Sequence, residues 1–350
     1  MTDAVFAIPG DKDRRTGGFI YEATVLRVLN EVGCTTQHLA LPDSFPDPTP
    51  DDVALTLELL RAVPASTPII LDGLVFGSIN TEGLTTVDAP VIAMVHHPLG
   101  LETGLSTARS DFLKANEAAA LKHVTHVIVP SPHTAEILIC DFGADPAKIT
   151  IAAPGFARPA VAPAPIDPPL IFSVGLLAER KGHDVLIAAL ALIQDIPWQA
   201  EIAGKAHDLT TATTLKEQIE ALGLSGRVKL SGELSEDDLN ARFNAASVFA
   251  LATRYEGYGM VLSEAMQYGL PVVTCAVGAV PETVGNAGVL VPVDDPVAFA
   301  SALRRLLTQP EECARLTGLS RQNAARLPTW EDTAQIFASV VSRLSLRSAT

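Results

Sequence analysis

The chain has 350 residues, 48% of them hydrophobic, and a formal net charge of −15, a size that suits two domains with separate cores. Residues 1–160 carry 10 basic and 19 acidic side chains, net −9, and the rest carry 15 and 21, net −6, which weighs against nucleic acid and against strong docking on anionic lipid. Cys34, Cys140, Cys275 and Cys313 are far apart with no CxxC pair. Together with the lack of a secretory pattern or an apolar run of ~18 residues, this predicts a cytoplasmic protein with free thiols, no metal and no stable membrane insertion; peripheral association and oligomeric state stay open.

In chain order, Ala4-Val-Phe-Ala-Ile8 reads as a buried strand ended by Pro9. A polar loop runs from Gly10 to Gly18, and helical spacing follows from Phe19 to Val32. Strand-like runs recur at 67–71, 90–95, 125–129 and 148–152, with helical patterns at 51–62, 106–122 and 133–142. Pro154 to Pro169 holds six prolines and reads as a linker. The pattern then restarts, with strands at 170–174, 199–203, 227–231, 247–252, 271–275 and 288–291. Helices are predicted at 182–193, 210–222, 235–245, 260–268, 295–307, 310–325 and 330–346. Strands apolar on both faces that alternate with helices predict α/β architecture: two Rossmann-like, doubly wound parallel sheets, with ligands at the carboxyl ends of the strands in a central cleft.

The densest chemistry lies in Tyr255-Glu-Gly-Tyr-Gly-Met-Val-Leu-Ser-Glu264, between an apolar strand and an amphipathic helix. Gly257 and Gly259 allow close backbone approach, and a helix start offers N–H groups to phosphate. Glu256 and Glu264, which flank seven residues, are acceptor-only groups suited to sugar hydroxyls. The bland alternative is a carboxylate that caps the helix. Arg180 and Lys181 precede another helix start, where cations are unfavourable unless an anion is present. His96, at the end of the 90–95 strand, can serve a sugar hydroxyl as a neutral imidazole. Glu102, Arg109 and Lys114 are candidates to face an acceptor. No GxxxxGK[ST], GxGxxG, HExxH or GxSxG pattern occurs.

These motifs together resemble the retaining GT-B glycosyltransferases of family 4 (glycosyl transferases group 1). The matching stretches are Gly17-Gly18, His96, Gly175 with Glu179-Arg180-Lys181-Gly182, Gly204, Arg227-Val-Lys-Leu-Ser-Gly232, the Glu256/Glu264 stretch and Pro271-Val-Val-Thr. The resemblance implies an acceptor-binding domain over 1–160, joined by a C-terminal helix over 330–350 that crosses back to it. It implies a nucleotide-sugar-binding domain over 161–329. Glu264 would bind ribose, and Glu256 the transferred sugar. Gly257, Tyr258, Gly259, Met260 and Val261 would meet sugar and phosphate, and Lys181 the diphosphate. Arg180 would replace the family arginine, whose position is Leu176 here. His96 would sit near the donor sugar, Gly17-Gly18 would form the loop over the reaction centre, and backbone near Ser231, Gly232 and Glu233 would read the base. The implied reaction is transfer from a UDP- or GDP-sugar to an acceptor hydroxyl or amine with no cofactor. The charge of the first half favours a soluble small molecule or saccharide as acceptor. A lipid acceptor, a GT-B nucleotide-sugar epimerase and a non-catalytic sugar-nucleotide-binding protein are the alternatives.

Overall fold

The computed structural model describes residues 2–102, 104–159, 163–206 and 209–347. The chain divides into two compact units, Met1–Gly155 with Pro328–Thr350, and Phe156–Leu327. In the first unit the elements run β1 (Ala4–Pro9), α1 (Gly17–Glu31), β2 (Thr36–Leu41), α2 (Pro50–Arg61), β3 (Ile69–Asp72), α3 (Gly73–Ser78), α4 (Thr81–Leu84), β4 (Val91–Met94), α5 (Thr107–Ala120), β5 (His126–Val129), α6 (Pro132–Cys140) and β6 (Ile149–Ile151). The second unit holds β7 (Leu170–Val174), α7 (His183–Ala191), β8 (Gln199–Ala203), α8 (Leu209–Ala221), β9 (Val228–Gly232), α9 (Glu236–Ala245), β10 (Val248–Leu251), α10 (Met260–Gln267), β11 (Val272–Cys275), α11 (Val280–Val284), β12 (Gly288–Val291), α12 (Pro296–Thr308) and α13 (Pro310–Ala324). Then α14 (Trp330–Arg347) returns to the first unit and packs on α1, where Tyr21 meets Trp330 edge-on at 5.6 Å.

Both sheets are parallel throughout, with strand orders β2-β1-β3-β4-β5-β6 and β12-β11-β10-β7-β8-β9. Each order reverses direction once, between β1 and β3 in the first sheet and between β7 and β10 in the second. In each sheet, the carboxyl ends of that strand pair are where such folds bind ligands.

The alternation of side chains on β7 shows why the strands are apolar on both faces. Ile171 joins a core layer with Leu186, Leu190 and Trp198. Its neighbours Leu170 and Phe172 join the opposite layer, where Phe172 meets Phe243 edge-on at 5.1 Å. Each such side chain contributes about 1.5–3 kcal/mol by burial, and the flanking helices cover both faces.

The edge strand β2 went unread in the sequence because Thr36-Gln-His-Leu-Ala-Leu41 is buried only at its two ends. Of the linker read over 154–169, residues 160–162 lie outside the described residues. Further on, Ala164 and Ile166 donate backbone hydrogen bonds to Asn244 O and Ala245 O at the end of α9. Residues 348–350 of the expected C-terminal helix also lie outside the described residues. No described helix is long and apolar enough to cross a membrane.

Helix starts separate into two kinds. Thr49, Ser106, Ser131, Ser235 and Asp295 cap α2, α5, α6, α9 and α12 with their side chains. By contrast α1, α7 and α10, which follow β1, β7 and β10, have no side-chain cap, as is also true of α11 and α13, whereas α3 after β3 is capped by Asp72. In α1, α7 and α10 the first N–H groups are left open at strand ends where such folds bind ligands.

Candidate active site

In the second unit, β7 leaves the sheet through Gly175, whose N–H bonds Ala203 O at 3.0 Å. A turn of 3-10 helix at Glu179–Lys181 follows, and then Gly182 with φ +62°. A Cβ at Gly182 would lie 1.9 Å from Ala252 O, so only glycine lets this turn press against the exit of β10. That approach sets Lys181 against Glu256, with Nζ donating to Oε1 at 2.5 Å and both side chains buried. Thr253 Oγ1 lies 3.0 Å from the same carboxylate oxygen. Gly182→Ala is expected to destabilise the protein by at least about 2 kcal/mol, from left-handed strain plus the clash. It should also lower turnover by pulling Lys181 off Glu256. Urea denaturation and steady-state rates check this, and wild-type values in both would refute it.

Arg254 is the clamp that sequence reading missed. Its side chain bonds Asp184 at 2.7 and 3.1 Å, Asp294 at 2.8 Å and the carbonyl of Glu179, and its N–H bonds Arg180 O at 2.8 Å. These carboxylates hold the guanidinium well above its ordinary pKa. Arg254 therefore locks the Glu179–Lys181 turn and is not available to a ligand. Arg180, half-buried, keeps a side chain with no hydrogen bond or ion pair among the described residues. His183, buried at the start of α7, donates from Nε2 to Leu176 O at 3.1 Å, and burial lowers its pKa to about 4. It steadies the loop between Gly175 and Lys181 as a neutral imidazole.

The other half of this site is the start of α10. Gly259, with φ +86°, precedes the helix, and Met260 and Val261 form its uncapped first turn. Glu256 is pinned from behind, because Ala279 N–H bonds its carbonyl at 2.9 Å. Glu264 is half-buried and has no hydrogen-bond partner among the described residues. Desolvation pushes its carboxyl up to about 7. Tyr258 stacks on Phe156 at 6.2 Å, and its carbonyl accepts from Thr283. Gly232 (φ +67°) and exposed Glu233 stand at the end of β9, two strands from β7 and so roughly 10 Å away. Ser231 is committed to Glu201, which also pairs with Arg242 at 2.8 Å.

In the first unit, Gly17 and Gly18 are the first two residues of α1, a correction to the loop expected there. Thr16 is extended, and the chain turns helical directly after it, two residues before the apolar spacing begins. Gly18 faces His96, since a Cβ there would lie 3.4 Å from the ring, whereas Gly17 is exposed. His96 Nε2 is 3.1 Å from Oε1 of Glu22, a fully buried carboxyl on α1. Glu22 Oε2 is buried without a hydrogen-bond partner among the described residues, and Asp72, at the end of β3, accepts from Leu74 N–H at 2.7 Å. Burial raises Glu22 to about 8 and Asp72 well above its ordinary value, and lowers His96 to about 4. Tyr21 packs edge-on against His96 at 5.1 Å. Neither Glu22 nor Asp72 was singled out in the sequence. The available signal was that Glu22 precedes Val25, Leu26 and Leu29 at helical spacing and so falls on the buried stripe of α1.

Arg109, proposed to face an acceptor, instead bonds Pro46 O and Asp47, each at 2.7 Å, and lies over Phe112. Among the described residues, no three or more His, Cys, Asp or Glu side chains are placed to hold a metal ion.

Residues 158–322 match the family model for glycosyl transferases group 1, and residues 75–157 match that for glycosyltransferase family 4. The chain is 34% identical over 217 residues to the D-inositol 3-phosphate glycosyltransferase of Corynebacterium urealyticum, covering 58% of this chain and 50% of that protein. It is 26% identical over 236 residues to the mannosylfructose-phosphate synthase of Agrobacterium fabrum, covering 61% and 52%. The chain thus spans about half the length of these curated relatives. Among solved structures, a sucrose-phosphate synthase from Thermosynechococcus elongatus superposes with a TM-score of 0.81 at 20% identity, over 99% of this chain and 100% of the other. Anabaena HepE in complex with UDP and glucose gives 0.78 at 17% identity, over 98% and 100%.

Proposed function

The chain belongs to glycosyltransferase family 4 and has the GT-B fold, and we propose that its activity is sugar transfer: it takes the sugar from a nucleoside diphosphate and passes it to an acceptor hydroxyl with retention. The observation that carries this reading is the meeting at one sheet end of a buried Lys181–Glu256 pair, an uncapped helix start and the unpartnered carboxyl of Glu264. Cations and open N–H groups suit a leaving diphosphate, and fixed carboxylates suit sugar hydroxyls.

In this reading Glu264 accepts the two ribose hydroxyls and Glu256 accepts hydroxyls of the transferred sugar. Lys181, Arg180 and the first N–H groups of α10 carry the diphosphate, which stretches along the exits of β7 to β9, with the base near Gly232 and Glu233. The bond from the anomeric carbon to phosphate breaks, its electron pair leaving with the diphosphate. The acceptor oxygen bonds that carbon from the same face, and its proton passes to the departing phosphate oxygen. Relatives named for inositol 3-phosphate and mannosylfructose-phosphate favour a phosphorylated polyol or sugar as acceptor.

The test is product analysis with panels of nucleotide sugars and of sugar and inositol phosphates. Release of nucleoside diphosphate should depend on the acceptor, and the product should keep the anomeric configuration of the donor by proton NMR. Acceptor-independent release, or an inverted anomer, would overturn the proposal.

A further inference from the structure

In the second unit, the pairing of β7 with β8 runs on past the ends of both strands. Within the strands Val174 lies opposite Ala203. Beyond them Gly175 N–H bonds Ala203 O at 3.0 Å, Leu177 N–H bonds Lys205 O at 2.9 Å, and Leu177 bridges Ala206 in parallel. On its other side the same stretch is tied to β9, where Gly204 N–H bonds Gly232 O at 2.8 Å. Bonds taken to alternate sides at this spacing are those of a parallel ladder. Leu176 therefore stands opposite Lys205, one strand spacing or roughly 4.8 Å away. A Cβ at Gly204 would lie 1.8 Å from Gly175 O, so glycine is what lets the two chains stay this close.

Alternation assigns Lys205 a face of the sheet. On β8, Ala200 and Ile202 join the layer of Leu186 and Trp198. Ala203 joins the opposite layer with Leu262, Ala265 and Met266 of α10, and Glu201 reaches Arg242 of α9 at 2.8 Å. On β7, Leu170, Phe172 and Val174 take that same face. Leu177 is back in the layer of Trp198, as unbroken alternation requires. Leu176 and Lys205 thus leave the sheet on the side that carries α10. Lys205 is exposed at the carboxyl end of an inner strand, between β7 and β9, and its side chain has no hydrogen bond or ion pair among the described residues.

The turns that follow the strands of this sheet hold four cations among the described residues: Arg180, Lys181, Lys205 and Arg254. Glu256 matches Lys181, and Asp184 and Asp294 match Arg254. Arg180 and Lys205 are left uncommitted, and a nucleoside diphosphate brings more negative charge than one guanidinium offsets. We propose that Lys205 is a further donor-binding residue, its ammonium pairing with the diphosphate where this crosses the exit of β8 on the α10 side of the sheet. Leu176, opposite it, brings no charge, so the cation of this register pair comes from β8. A lysine suits the place as a compact charge on a flexible stem, able to follow the phosphate as it departs. The inference rests on the reading that the second unit holds a nucleoside diphosphate.

Calorimetry on the full chain tests it, with UDP, GDP and ADP as probes and the parent nucleoside of the tightest one measured by competition. Lys205→Leu should weaken that diphosphate roughly tenfold or more, the worth of one hydrogen bond to a charged group, and leave the nucleoside unchanged. Its melting temperature without ligand should match the wild type, because no contact is lost. Lys205→Arg should keep most of the affinity. Combining Leu176→Lys with Lys205→Leu moves the charge to the register partner and should regain most of what Lys205→Leu loses. A wild-type Kd in Lys205→Leu, as a merely solvated lysine would give, overturns the proposal, and so does an equal loss for the nucleoside. A double variant that melts as the wild type does yet binds no better than Lys205→Leu would overturn the shared face. Wild-type protein that bound none of the three diphosphates would instead bring down the donor reading of the second unit, and this inference with it.

Discussion

Replacing Glu264 by alanine is expected to weaken nucleotide-sugar binding by at least roughly 100-fold. Hydrogen bonds to an ionised acceptor are worth about 1.5–3 kcal/mol each, so two ribose hydroxyls bring about 3–6 kcal/mol, or roughly 100- to 10,000-fold in Kd. The lower end is expected, because the unpartnered carboxyl is already poorly solvated in the free protein, and alanine relieves that burden. For the same reason the variant should be no less stable than the wild type, which separates lost binding from lost folding. The pH dependence has a definite sign. Burial holds the free carboxyl near a pKa of about 7, whereas accepting two hydroxyls requires the ionised form. Below pH 7 a proton must leave before the ligand binds, so affinity falls by up to tenfold per unit; above pH 7 it levels off. Calorimetry with UDP-, GDP- and ADP-sugars measures both effects. A variant that bound as the wild type does, or an affinity that rose on acidification from pH 7 to 5.5, would end this assignment of Glu264.

The sheets were legible because their strands are buried on both faces, so runs such as Leu170-Ile-Phe-Ser-Val174 stand out without any alternation. The strand that escaped, β2, lies at an edge, where a half-wetted pattern carries little signal. The short helices α3 and α4 escaped for another reason: four to six residues are too few for a periodicity to emerge. Motif residues on one local turn, such as Gly259 through Glu264, could be read together because a single helix start arranges them. Contacts made across the sheet could not. Lys181 and Glu256 are 75 residues apart, and what joins them is the close approach of Gly182 to Ala252. Arg254 looks like any exposed cation in the sequence, and only the fold commits it to Asp184 and Asp294. Glu22 and Asp72 read as ordinary helix and strand-end acids until the sheet order puts the exits of β3 and β4 side by side behind α1.

The Lys181–Glu256 pair yields the second large effect, because stability and turnover should respond to it differently. Removing one partner of a buried ion pair leaves the other uncompensated, at about 3–5 kcal/mol, whereas replacing both by apolar groups of similar volume is often neutral or better. Lys181→Met and Glu256→Leu should therefore each destabilise the second unit by roughly that amount, while the double variant should regain most of the loss. Thr253, which also bonds Glu256, keeps Arg180 O and Tyr255 O as partners at 3.1 and 3.0 Å, so the double variant strands no hydroxyl. Turnover should show no such recovery. If the lysine carries the leaving diphosphate and the glutamate the sugar, each single variant loses a group that acts on the transition state, and the double variant loses both. Before the ligand arrives, Glu256 holds Lys181 in place, so the diphosphate finds a side chain already buried and aimed, with little reorganisation left for the reaction. Urea denaturation of the three variants beside their kcat values completes the cycle. Recovery of stability without recovery of rate is the expected result. A double variant as unstable as the singles would mean that the pair does not hold this site together, and one that regained turnover would mean that neither charge acts on the donor.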